Sequence, residues 1–155
     1  MRFTRYTDYS FRVLMYLAIK PDGELSTIKE IADRYAISEN HLMKVVHQLG
    51  RHGLVTTVRG RQGGLALAQS PTEINLGMVV RLCEDDLDIV ECFDQKKNNC
   101  VIAPVCALAG VMSEALDAFL TVFDRYTLAD ILAPRNDLAA LLALPSTDEG
   151  PPLGT

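Results

Sequence analysis

Residues 38–68 read SENHLMKVVHQLGRHGLVTTVRGRQGGLALA, and this stretch decides the fold. Leu42, Val45, Val46 and Leu49 recur at i, i+3, i+4 and i+7, so the spacing predicts a helix over about 39–51 with one buried stripe. Ser38 is suited to cap its start and His52-Gly53 to stop it. Two short apolar runs follow, Leu54–Val58 and Leu65–Ala68. Between them, the glycines of Arg59-Gly60-Arg61-Gln62-Gly63-Gly64 permit a hairpin tip. A helix followed at once by a basic-tipped hairpin is the second half of a winged helix-turn-helix.

The preceding sequence supplies the first half. Thr27 with Glu30 three residues on forms a capping box, opening a helix with Ile28, Ile31 and Ala32 on one face. Tyr35-Ala36-Ile37 is the turn into the helix after Ser38. Earlier still, Thr7 precedes a pattern of Phe11, Leu14, Met15 and Ala18, a first helix that Pro21-Asp22-Gly23 ends. Downstream, a fourth helix is expected from Asn75 to about Asp85, with Met78, Val79, Leu82 and Cys83 apolar. Residues 86–105 carry no regular pattern.

From Cys106 to Tyr126 a long helix is expected. Its Leu108, Met112, Ala115, Phe119, Val122 and Tyr126 are spaced as the seam of a coiled-coil-like contact. Val111, Leu116, Leu120 and Phe123 make a further apolar surface. One face can pack on its own domain; the other calls for a second copy of the chain. Thr127 and Asp130 suit the cap of a last short helix. The expected fold is therefore mainly α with a small β-hairpin wing, a winged helix-turn-helix domain plus a long dimerisation helix. Residues 1–85 form the DNA-binding domain, 86–106 a loop, 106–132 the dimerisation region, and 145–155 a disordered tail.

Charge divides along the same line. The 155 residues carry a net charge of −5, but residues 1–64 hold ten Lys and Arg against six acids, a net of +4. The remainder holds five against fourteen, a net of −9. A basic head and an acidic body suit a protein that meets phosphates at one end. The apolar fraction of 48% supports a real core. The apolar run Phe11 to Ile19 is broken by Arg12, with Asp8 just upstream, so neither a signal peptide nor a membrane span is expected and the cytoplasm is the expected compartment.

Burying Leu42, Val45, Val46 and Leu49 turns the other side of the third helix outward. There, after Ser38, stand Asn40, His41, Lys44, His47 and Gln48, where a recognition helix meets base edges in double-stranded DNA. Asn and Gln suit adenine, and Lys suits guanine or phosphate. Arg59 and Arg61 at the wing tip suit the minor groove or the backbone. His41 and His47 are six apart and do not share a helical face as a metal pair. No nucleotide-binding glycine loop and no Ser/His/Asp arrangement is present, so no catalytic residues and no enzyme activity are expected.

Cys92, Cys100 and Cys106 are separated by seven and five residues. In a reducing compartment grouped thiols point to metal, cluster or redox chemistry in place of disulfides. Zinc knuckles use closer pairs. Wide spacing in an irregular loop, with the last thiol at a helix start, lets three sulfurs converge on a larger object such as an iron–sulfur cluster. The spacing leaves zinc or a thiol switch open, and it does not supply a fourth ligand. Cys83 lies mid-helix in an apolar stripe and reads as a core residue.

Thr7-Asp8-Tyr9, Ile37 to Leu42, Gly53-Leu54-Val55, the Val58–Gly64 wing, the three cysteines and Tyr126-Thr127-Leu128-Ala129-Asp130 together resemble one family. It is the family of dimeric winged-helix repressors that includes the nitric-oxide sensor NsrR and the cluster-biogenesis regulator IscR. The resemblance spans about residues 1–132. Asn40-His41 and the Tyr126–Asp130 ending look most like the NsrR branch. In the IscR branch a histidine three residues after the last cysteine completes a 2Fe–2S site, and here that place holds Ala109. The resemblance implies a 4Fe–4S cluster, in preference to 2Fe–2S, on Cys92, Cys100 and Cys106. Asp8 of the other subunit would be its fourth ligand. It further implies a homodimer on a palindromic operator, nitric oxide as the signal, and derepression of detoxification genes. An iron-responsive repressor resembling the rhizobial iron regulator is the alternative within the family. A small electron-transfer iron–sulfur protein is the alternative from another class, and a cluster-free winged-helix protein is the third.

Overall fold

The structure, a computed structural model, describes residues 2–21, 23–84, 86–94, 96–132 and 135–142. The expected tail at 145–155 lies outside them, as do Asp22 and Asp85. Helices α1 (Arg5–Ile19), α2 (Ile28–Tyr35) and α3 (Glu39–Arg51) are followed by the hairpin β1 (Val55–Val58) and β2 (Gly64–Leu67). Then come α4 (Leu76–Cys83), the long α5 (Ala107–Asp124) and α6 (Arg135–Leu141). Short 3-10 turns stand at 91–93, 103–105 and 129–131. The winged-helix arrangement expected from residues 38–68 is present. The α6 helix has no counterpart in the sequence pattern.

The helix-turn-helix is held by local chemistry. Thr27 accepts from Glu30 N (3.1 Å), and Glu30 accepts from Thr27 N (3.4 Å), so the capping box is complete. Ala36 takes a left-handed conformation (φ 52°) at the C-cap of α2. A non-glycine residue is uncommon there. The geometry lets Ile37 N reach Ala32 O (3.0 Å), which turns the chain sharply into α3. Leu42, Val45, Val46 and Leu49 are buried as expected, against α1, α2 and β1.

In the wing, Val55 pairs with Leu67 and Val58 with Gly64, antiparallel. Ser26 adds a one-residue third strand by exchanging two hydrogen bonds with Leu65 (3.0 and 2.7 Å). The base of the wing is thereby tied to the start of α2. At its tip, a side chain on Gly63 would overlap the Val58 carbonyl oxygen, so the turn closes only around glycine.

Helix α1 departs from expectation in two ways. It begins at Arg5 with Thr4 as its cap, not after Thr7. Thr7 is fully buried, and its hydroxyl donates to Glu84 Oε1 (2.6 Å), a residue 77 positions away. Its apolar surface is also wider than one stripe. Val13, Leu14, Tyr16, Leu17, Ala18 and Ile19 are buried while Phe11 and Met15 are half-buried. The helix is enclosed by α3, α4, β2 and α6, so more than one face must be apolar.

Glu30 does more than cap. It accepts from the Tyr16 hydroxyl (2.8 Å) and pairs with Lys20 (2.9 Å), joining α2 to the centre of α1. Burial pushes its carboxyl up, but the bonds from Lys20, Tyr16 and Thr27 outweigh burial and hold it below the usual range. A carboxyl lowered on folding stabilises the fold above its unfolded value, and the gain is lost as pH falls through the folded one. Resistance to urea unfolding is therefore expected to fall below about pH 4.3, with this component missing in Glu30→Gln. That variant should cost about 1–3 kcal/mol at neutral pH, since an amide loses the Lys20 ion pair and has one acceptor oxygen where the carboxylate uses both.

Candidate nucleic-acid interface and thiol cavity

The outward side of α3 carries Asn40, His41, Lys44 and His47 as exposed residues. Gln48 is half-buried and accepts from Arg51 Nη1 (3.4 Å). Ser38 stands at the N-cap position but makes no side-chain cap bond, so its hydroxyl is not committed to the helix. Arg59 and Arg61 are exposed at the wing tip. The sequence-derived DNA contacts thus fall on one helix face and on the hairpin that follows it. Changing Arg59 and Arg61 to Ala is expected to flatten log affinity against log salt by about 0.9 for each phosphate left without its cation, measured on one duplex from low to high salt.

The recognition helix is joined to the start of α1 by ring contacts. Tyr9 lies 6.4 Å from His41, centroid to centroid. Arg12 stands 6.0 Å from the Tyr9 ring and 5.8 Å from the Tyr35 ring. The Arg12 guanidinium also grips Asp8 through two bonds, Nη2–Oδ2 at 2.9 Å and Nε–Oδ1 at 3.2 Å. Asp8 is half-buried in the first turn of α1 and does not line the cysteine cavity of its own chain.

Cys92, Cys100 and Cys106 all line one cavity of about 190 Å³, with Val90, Glu91, Ile102, Leu108, Ala109 and Met112. All three are free and half-buried. The loop that carries them is folded on itself by its own polar groups. Asn99 N donates to Glu91 Oε1 (2.7 Å), Cys100 N to Asn98 Oδ1 (2.9 Å), and Lys96 N to Asp94 Oδ1 (2.9 Å). The bond from Lys96 N, with those of Lys97, holds the Asp94 carboxyl below the usual range. Cys106 sits at the N-cap of α5 and makes no side-chain cap bond. Among the described residues no group of three or more His, Cys, Asp or Glu is arranged to hold a single metal ion. The cavity is roughly ten times the space one water needs, so a largely apolar space lined by three cysteines has room for a polyatomic group. Cys83 is buried in α4, where burial pushes its thiol up, and does not line this cavity.

From Cys106, α5 runs 18 residues to a dense joint with α4. Arg81 and Asp124 form a two-bond ion pair (2.6 and 2.8 Å), which holds the Asp124 carboxyl below the usual range. Asn75 Nδ2 donates to Asp124 O (2.8 Å), Leu76 N to Tyr126 O (3.0 Å) and Leu128 N to Ile74 O (2.8 Å). A side chain on Gly77 would run into Asp124. The expected Thr127–Asp130 cap is present, with Thr127 N and Oγ1 donating to Asp130 Oδ2 (2.7 and 2.8 Å). The expected seam of α5 divides. Leu108, Ala115, Val122 and Tyr126 are exposed, with Val111, while Met112 is half-buried and Phe119 packs on Phe3 and Phe123.

Sequence reasoning missed the cavity's apolar wall, Tyr9 and Arg12, and also Met43 on α3. Among the described residues no helix is long and apolar enough to cross a membrane.

Comparison with known proteins gives consistent results. Residues 3–134 match Rrf2, described as an iron-dependent transcriptional regulator. The HTH-type transcriptional regulator NsrR of Bacillus subtilis is 56% identical over 144 residues, 93% of this chain and 99% of that protein. NsrR of Shouchella clausii is 50% identical over 149 residues, 96% of this chain and all of that protein. Among solved structures, IscR of T. potens superposes with a TM-score of 0.71 at 26% identity, covering 89% of this chain and 90% of that one. CymR, the global cysteine regulator of B. subtilis, gives 0.69 at 26% identity, covering 86% and 97%.

Proposed function

This chain belongs to the Rrf2 family of transcriptional regulators, and from that premise we propose that it is a homodimeric repressor that senses nitric oxide through an iron–sulfur cluster. The ligands are Cys92, Cys100 and Cys106, with Asp8 of the other subunit as the fourth, and 4Fe–4S is favoured over 2Fe–2S. The observation that carries this reading is that three free cysteines line one largely apolar cavity, in a chain about half or more identical to proteins named NsrR. The exposed apolar residues along α5 support pairing with a second copy.

When bound, the cluster supplies the reactivity toward nitric oxide, and a carboxylate ligand holds iron less firmly than a thiolate. The rest is mechanical and belongs to the chain. Three thiols held together fix the 86–106 loop between the end of α4 and the start of α5. The ion pair and backbone bonds at the far end of α5 then fix α4, and with it the DNA-reading head. Asp8 has a competing partner in Arg12, and Arg12 leads through Tyr9 to His41 on the recognition helix. Thiols released from a common centre free the loop, and a released Asp8 frees the start of α1. Two recognition helices must keep a fixed spacing to grip a palindromic operator, so such loosening lowers affinity.

The test is a titration of anaerobic holo-protein with nitric oxide, beside a chelator control, followed by operator binding. The expected result is loss of binding with nitric oxide at intact iron supply. Full binding after stoichiometric nitrosylation, with binding lost to the chelator, would select the iron-responsive alternative instead.

A further inference from the structure

One residue on the outward face of α3 does not match the chemistry around it. Met43 is 49% exposed, whereas the helix's other large apolar residues are at most 6% exposed. Among the described residues, the remaining exposed large apolar ones belong to the cysteine loop and α5, apart from Val58 on the wing, Leu141 on α6 and Tyr126 just beyond α5. A face that pairs two copies through α5 therefore does not account for Met43. Its neighbours one turn away on the helix surface are the exposed polar residues Glu39, Asn40 and His47, with the buried Val46 on its inner side. It also stands in the second turn of the helix, within the part of a recognition helix that meets base edges.

A thioether donates no hydrogen bond and accepts only weakly. Met43 is thus unsuited to phosphates and to the polar edge of any base. Major-groove edges offer donors, acceptors and one apolar group, the C5-methyl of thymine. An unbranched, polarisable side chain is well suited to cover it. We propose that Met43 is a specificity-determining residue that packs on the C5-methyl of one thymine in each half-site, while Asn40 and His47, one turn away on either side, make the polar contacts beside it. This inference rests on the DNA-binding reading of α3.

The experiment first lets the full-length holo-protein select duplexes from a random-sequence pool. The consensus duplex is then resynthesised with deoxyuridine replacing each thymine in turn, symmetrically in both half-sites. Wild type, Met43→Ala and Met43→Leu are measured on every duplex, with circular dichroism as the control for folding. One buried methyl corresponds to about a fourfold change in affinity, so about fifteenfold for the symmetric pair. At one thymine position wild type is expected to lose that much, Met43→Leu a similar amount, and Met43→Ala almost nothing. Met43→Ala should already be weaker on the thymine duplex by the same factor. Equal losses in wild type and Met43→Ala at every position, or no loss at any, would overturn the inference. A selection that enriches no sequence would overturn it together with the DNA-binding reading beneath it.

Discussion

Replacing Cys106 with Ala is expected to give a colourless protein that binds its operator about a hundredfold more weakly than the holo-protein, a difference of about 2.7 kcal/mol. Cys106 is the thiol at the junction between the loop and α5, standing at the N-cap of that helix. Without it, the start of α5 is tied to the loop only by the short-range backbone bonds between Cys100 and Cys106, although the α4–α5 joint at the far end stays whole. The fold should survive, because Cys106 contributes little to the core. The same outcome is expected for Cys92→Ala and Cys100→Ala. Cys83→Ala is the control, since Cys83 lies in α4 and outside the cavity, and it should keep its colour. Asp8→Ala should keep a cluster that is more labile or altered in spectrum. Optical absorption of anaerobic protein, beside operator titration, reads all five. A brown, operator-competent triple cysteine variant would refute the site.

Leu49→Ala is expected to lower stability by about 2–5 kcal/mol, through reduced burial and the cavity left behind. Leu49 is fully buried on the inner side of α3, in the core shared with α1, α2 and β1. A domain of this size has about 5–15 kcal/mol in total, so the loss is a large fraction. The urea midpoint should fall with the slope of the transition unchanged. DNA affinity per folded molecule should hold, because Asn40, Lys44 and His47 lie on the other side of the helix. A loss below about 1 kcal/mol would contradict the placement of Leu49 in the core.

Much of this arrangement was legible in the chain itself. The period of Leu42, Val45, Val46 and Leu49, the Thr27–Glu30 box and the glycines after Arg59 are local signals, and local signals set α2, α3 and the wing. The start of α1 was misplaced because Thr7 offers its hydroxyl to Glu84, a long-range partner with no trace in nearby residues. The breadth of burial on α1 was underestimated for a similar reason. Its faces are set by α3, α4, β2 and α6 arriving from elsewhere in the chain.

The site divides in the same way. Three cysteines at wide spacing announced a convergence, and they do line one cavity. The spacing supplies no fourth ligand, and Asp8, which only the family resemblance offers, does not line that cavity within its own chain. Met43 carries no signal in the sequence, because residue type alone does not tell an exposed methionine on an amphipathic helix from a core one. Only its exposure sets it apart.

The central claim is that the three thiols gather an iron–sulfur cluster in a paired regulator. Anaerobic native mass spectrometry of freshly purified protein tests it most directly. The account predicts a dimer whose added mass corresponds to one cluster per chain, iron and sulfide in equal number, absent when Cys92, Cys100 and Cys106 are all replaced. An iron-free dimer that binds operator as tightly as any other preparation would contradict it.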